Sequence, residues 1–178
     1  RSWNWPGEIG KLMQVFVYSR CQVVKLELNG KVIGEKTVPV NSITAIFDSI
    51  PYQSGTLVAK GFDNGKEVAS VTLKTTGAPS AIRLKADRNK IKASRNDLSY
   101  ISVEVVDAAG NVVPDAENIE VHFTVSGNGE LAGVGNANPV DMSSFQLPKK
   151  KTYHGKASVI LRPKGNAGKI ELRAHAQG

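Results

Sequence analysis

Sixteen acidic residues, three histidines and a single cysteine are the groups with which this 178-residue chain could make or break bonds. Glu104, Asp107 and Glu120 lie in or beside segments of alternating polarity. Glycosidic hydrolysis by paired carboxyls needs one acid held protonated and an ionised partner facing it across a cleft. Acids at the edges of short strands seldom meet that geometry. His122, His154 and His175 sit on three separate segments, without the short-spaced pairing of zinc ligands, and read as surface residues. Cys21 has no obvious partner to activate it and reads as an inert buried thiol. No residue of the chain is assigned a catalytic, metal-binding or cofactor-binding role.

Three further patterns have a functional and a bland reading. Gly127-Asn128-Gly129-Glu130-Leu131-Ala132 fits the spacing of a dinucleotide loop, but such a loop must open a helix whose free N–H groups face the phosphates. Gly133 to Pro139 would break that helix, so a flexible hairpin or inter-strand loop is expected instead. Lys149-Lys150-Lys151 beside Tyr153 would suit an anionic ligand, yet no interleaved series of aromatics for stacking bases accompanies it, and nucleic acid is not expected as a partner. Trp3 and Trp5, two apart in an extended segment, would point to one side. They are candidate carbohydrate contacts, as a stacking platform for a sugar ring, or else they pack on a neighbouring sheet or domain.

The elements that must carry these residues are short strands. Val24, Leu26 and Leu28 share one face and Lys25 and Glu27 the other, the pattern of a half-buried strand. Asn29-Gly30 follows at once, and Asn64-Gly65 stands between Thr56–Phe62 and Glu67–Leu73. Both dipeptides tolerate the positive φ angles of a two-residue type I′ turn, so two tight hairpins are expected. In the second half Ile101/Val103/Val105 alternate with Ser102/Glu104, Val121/Phe123/Val125 alternate with Glu120/His122/Thr124, and Ala157–Leu161 and Ile170–Ala174 do likewise. Asp115 to Asn118 could form one helical turn at most. Strands spaced by roughly 8–12 residues indicate sandwiches rather than βαβ units.

The chain is longer than one immunoglobulin-sized domain of roughly 100 residues and short for three. Thr75-Thr76-Gly77-Ala78-Pro79-Ser80 is the best linker, which gives domains at 1–76 and 78–178. The expected fold is all-β, two tandem immunoglobulin-like β-sandwich domains. Hydrophobic residues at 40% and charged residues at 22% exclude a disordered chain. The formal charge of +7 is spread beside acids along both halves and reads mainly as solvated surface. One cysteine provides no disulfide, so packing alone must stabilise each domain. No segment approaches the ~18 apolar residues of a membrane span. Arg1-Ser2-Trp3 shows neither an initiator Met nor a leader, so any targeting signal is expected on sequence ahead of it.

Trp3-Asn4-Trp5-Pro6-Gly7, Val15 to Ser19 and Val24 to Gly34 together resemble the region after the catalytic barrel of glycoside hydrolase family 2 β-galactosidases. The resemblance continues through Pro51-Tyr52, Gly55-Thr56-Leu57, Ala78-Pro79, Ile82-Arg83-Leu84, Asp97-Leu98-Ser99-Tyr100, Asp107 to Pro114, Gly133-Val134-Gly135-Asn136 and Ser144-Phe145. It implies two accessory β-sandwiches, the second similar to bacterial immunoglobulin-like modules, behind a barrel that carries both catalytic glutamates. No segment here matches the motifs around those glutamates. The resemblance thus implies a non-catalytic accessory fragment whose partner is the catalytic barrel of the same polypeptide, in a periplasmic or extracellular enzyme. A carbohydrate-binding module, which would make polysaccharide a partner, and a bacterial surface-adhesion module stand as alternatives.

Overall fold

The computed structural model describes residues 2–176. Contacts divide the chain into two compact units, with the break between Thr76 and Gly77. All strand pairing is antiparallel, and no helix occurs among the described residues, so none is present that could cross a membrane. The chain is all-β and each unit is a sandwich.

The first unit holds β1 (Leu12–Tyr18), β2 (Val23–Leu28), β3 (Lys31–Thr37), β4 (Thr44–Pro51), β5 (Thr56–Asp63) and β6 (Lys66–Lys74). A four-stranded sheet ordered β3-β2-β5-β6 shares its core with the two-stranded sheet β1-β4. Val24, Leu26 and Leu28, with Leu57 beside them on the same sheet, turn inward into one core with Phe47 and Ile50 of the other. Full burial of each such aliphatic side chain contributes about 1.5–3 kcal/mol. Their outward neighbours form cross-strand ion pairs, Lys25 with Glu35 at 3.0 Å and Glu27 with Lys60 at 2.7 Å. Both Asn-Gly turns have positive φ at each residue, 52° and 80° at Asn29-Gly30 and 51° and 76° at Asn64-Gly65, as a type I′ hairpin requires.

The second unit holds β7 (Ala81–Ala86), β8 (Ser99–Val106), β9 (Glu120–Gly127), β10 (Gly129–Gly135), β11 (Lys149–Lys151), β12 (Lys156–Pro163) and β13 (Ile170–Ala176). The sheet β10-β12-β8-β7 closes against β11-β9-β13. This is the four-plus-three strand count of an immunoglobulin constant-type sandwich. Ile101, Val103, Val121, Phe123 and Val159 fill the space between the sheets.

Several elements differ from the sequence-based expectation. Residues 129–135 form a strand paired to β12 rather than a loop, and glycine suits position 129 because an added Cβ would lie 2.5 Å from the Ile170 side chain. Strand β4 does not follow a simple period of two, because a bulge opposite β1 breaks its alternation. The three lysines 149–151 are a strand, so their side chains alternate sides. Asp115 lies in a turn, with no helical turn around it.

Candidate functional site

The acids singled out from sequence are all engaged. Arg83 and Glu104 face each other across β7 and β8, with their side chains 2.8 Å apart. Asp107 accepts the backbone N–H of Gly77, Ala109 and Asn111 at 2.8–3.0 Å, which, the Gly77 bond foremost, holds its carboxyl below the ordinary range. The ammonium of Lys149 and then the ring of His122 do the same for Glu120. Glu130 is clasped by Arg162 at 2.9 Å and by Arg95 at 2.8 Å, and its carboxyl is lowered too. Wherever a carboxyl clearly departs from its usual titration, the direction is downward.

The β9–β13 register places His122 opposite His175, and the rings stack at 5.2 Å with 20° between planes. These two residues are 53 positions apart and meet only through strand pairing. His154 lies apart from that pair, with its ring 4.2 Å from that of Tyr153 and its Nδ1 3.0 Å from Glu117. Among the described residues no group of three or more His, Cys, Asp or Glu could hold a metal ion. Cys21 is half-buried, and its Sγ fills the space over Gly61.

Trp3 and Trp5 occupy different environments. Trp3 is 4% exposed; its indole N–H donates to the Gln53 carbonyl at 2.9 Å, and its ring meets Tyr52 edge-on at 5.2 Å. Trp5 is 50% exposed. The Tyr52 hydroxyl accepts the Trp5 backbone N–H and donates to the Trp3 carbonyl, each at 3.2 Å, so it anchors the segment with one ring in and one ring out. The structure therefore brings only Trp5 to the surface.

The feature that sequence reasoning missed lies between β10 and β11. Lys150 is 2% exposed, and its ammonium meets Asp141 at 3.0 Å, the Ser143 hydroxyl at 2.8 Å and the Ser143 carbonyl at 3.1 Å, over the face of Phe145. Asn136 adds a bond to Asp141 and another to the Lys151 carbonyl, each at 2.8 Å. The Ser143 hydroxyl and amide, followed by Lys150, hold the Asp141 carboxyl far below the ordinary range. This network fixes a loop whose apolar side chains Val140, Met142, Phe145 and Leu147 are left in solvent, Met142 at 94% exposure. These four exposed apolar side chains lie on one hydrogen-bonded loop. Three identical lysines give no sign in the sequence of which one is buried.

Each unit contains concavities, of which two have a largely apolar floor. A cleft of about 620 Å³ at the edge of the second sandwich has a floor of Leu84, Ile101, Leu161 and Leu172 and a rim of Arg88, Lys90 and Lys169, without a carboxylate in its lining. A groove of about 480 Å³ in the first unit is wholly apolar apart from the Tyr18 hydroxyl, lined by Val15, Val17, Leu57, Val71 and Leu73 among others. Neither presents opposed acids.

Residues 82–178 match the family model described as glycoside hydrolase family 2 C-terminal domain 5, and residues 10–69 match a domain of unknown function (DUF4982). A β-galactosidase of Bacteroides ovatus is 38% identical over 177 residues, 99% of this chain and 20% of that protein. A β-glucuronidase of Formosa agariphila is 36% identical over 126 residues, 70% of this chain and 13% of that protein. The crystal structure of a glycosyl hydrolase family 2 member from Bacteroides cellulosilyticus superposes with a TM-score of 0.94 at 39% identity, over 99% of this chain and 24% of that one. The chain thus spans about a fifth of the length of the B. ovatus relative.

Proposed function

The chain belongs to glycoside hydrolase family 2, in its C-terminal region, and from that premise we propose that it is a non-catalytic accessory part of a β-galactosidase-like enzyme. Its work is to support or shape a catalytic barrel carried elsewhere in the same polypeptide. The observation that carries this reading is the state of the carboxylates: those with shifted titration are all driven toward the ionised form, by cations, by backbone amides or, foremost at Asp141, by a serine hydroxyl. A glycosidase needs one carboxyl pushed the other way, to remain a proton donor at neutral pH. The exposed apolar side chains of the loop at 140–147 support the rest of the proposal as a surface for the barrel to cover. The reading carries with it a periplasmic or extracellular location.

The purified chain is expected to leave aryl β-galactosides unhydrolysed under conditions where the parent enzyme turns them over. Turnover that persists after host glycosidases are removed would overturn the assignment. A second reading, sugar contact, is favoured only by the half-exposed Trp5. It requires retarded migration in a polysaccharide gel that Trp5→Ala abolishes.

A further inference from the structure

Three Asn-Gly pairs occur in the chain, at 29–30, 64–65 and 128–129. Such a pair can react with itself, because a glycine nitrogen unshielded by a side chain can reach the carbonyl carbon of the asparagine side chain. The three differ in how freely that carbon can be approached. Both ends of the Asn29 amide are held: Oδ1 accepts the Thr56 N–H at 2.8 Å, and Nδ2 donates to the Ser54 carbonyl at 3.1 Å. Asn128 donates to the Ala167 carbonyl at 2.7 Å, and its Gly129 is buried in β10 against Ile170. The side-chain amide of Asn64 makes no hydrogen bond among the described residues. Asn64 and Gly65 are both exposed, and nothing lies within 4 Å of where a Cβ of Gly65 would be.

We propose that Asn64 is the chain's site of spontaneous deamidation and isoaspartate formation. The Gly65 nitrogen, losing its proton to base, bonds to Cγ of Asn64; the Cγ–Nδ2 bond breaks, and that nitrogen leaves as ammonia. The resulting cyclic imide then takes up water. Opening on one side yields aspartate, and on the other isoaspartate, whose main chain runs through Cβ and Cγ. Each product lowers the formal charge of +7 by one.

The isoaspartyl product also lengthens the main chain by one methylene inside a turn that has only two residues between the paired Asp63 and Lys66. That pairing is lost with it, and so is the clamp on Gln22. In the clamp the Gln22 N–H bonds Asp63 at 2.8 Å and the Asn64 N–H bonds the Gln22 side-chain carbonyl at 2.9 Å. The start of β6 opens as a result.

Peptide mapping by mass spectrometry of the intact protein, aged in warm, mildly alkaline buffer, tests this. The peptide containing Asn64 is expected to gain one mass unit and split into two chromatographic species. It should do so about tenfold faster than the peptides containing Asn29 and Asn128, the factor that hydrogen bonds of ordinary strength supply. Equal rates at either of those sites would overturn the proposal. Asn64→Asp, tolerated because aspartate accepts positive φ, should fold normally and lack the early mass gain; the same early gain in that variant would overturn it equally.

Discussion

Replacing Trp3 by alanine empties its buried place against Tyr52 and removes the hydrogen bond to the Gln53 carbonyl, so a loss of about 3–5 kcal/mol is expected. The same change at Trp5 should stay within about 0.5 kcal/mol, because half its surface is already in water. Denaturant unfolding of the two variants checks both, and equal losses would contradict the placement. Alternation in an extended segment puts residues two apart on one side, but Tyr52 sorts these two indoles differently. Lys150 shows the same limit: its neighbours Lys149 and Lys151 face solvent while it pairs with Asp141 in the interior. Asp141 and the other lowered carboxyls of the second unit also define an acid response. Their folded pKa values lie below the unfolded ones, so their contribution is complete above about pH 4, the ordinary carboxylate value. It is lost as pH falls from there toward the folded values. Acid titration followed by circular dichroism should show stability declining only below that point; a loss between neutrality and about pH 5 would contradict it.

Strand β10 shows what an element can require of one residue. A methyl group at position 129 would sit 2.5 Å from Cγ2 of Ile170, so Gly129→Ala is expected to cost about 1–3 kcal/mol by overpacking. Ile170→Ala should relieve most of that added cost in the double variant, and additivity in the cycle would show that the two do not touch. From sequence, the Gly-rich tract reads as a loop because glycine disfavours strands in isolation. Only the approach of β13 explains why a strand there needs one. In β4, Phe47 and Ile50 both face the core although three positions apart, since the register slips between Met13 and Val15 on the partner strand. A period of two cannot be read through such a slip.

At the scale of the whole molecule, each unit has a core of its own, Leu26 and Phe47 at the centre of one and Val103 and Val121 at the centre of the other. A sandwich of this kind needs no disulfide when its alternating faces close on each other. The proposed attachment to a catalytic barrel predicts that Met142, almost fully exposed in this chain, becomes covered in the parent enzyme. Peroxide should then oxidise Met142 several-fold more slowly in the full enzyme than in this chain alone. Equal rates would show that the 140–147 loop is not the contact, while the absence of glycosidase activity in the parent would separately overturn the proposal that this chain serves a β-galactosidase-like enzyme.

The all-β class, the two type I′ hairpins and the alternating cores were written in local patterns: a side chain's face follows from period two, and Asn-Gly tolerates positive φ where two strands must turn back on each other, as at 29–30 and 64–65. Resemblance across the chain carried the family. Tertiary structure alone decided the stacking of His122 on His175, the burial of Trp3 and the ion pair of Lys150 with Asp141. These depend on which strands become neighbours and in what register, and that is set by the closure of two sheets around a shared core rather than by any one segment.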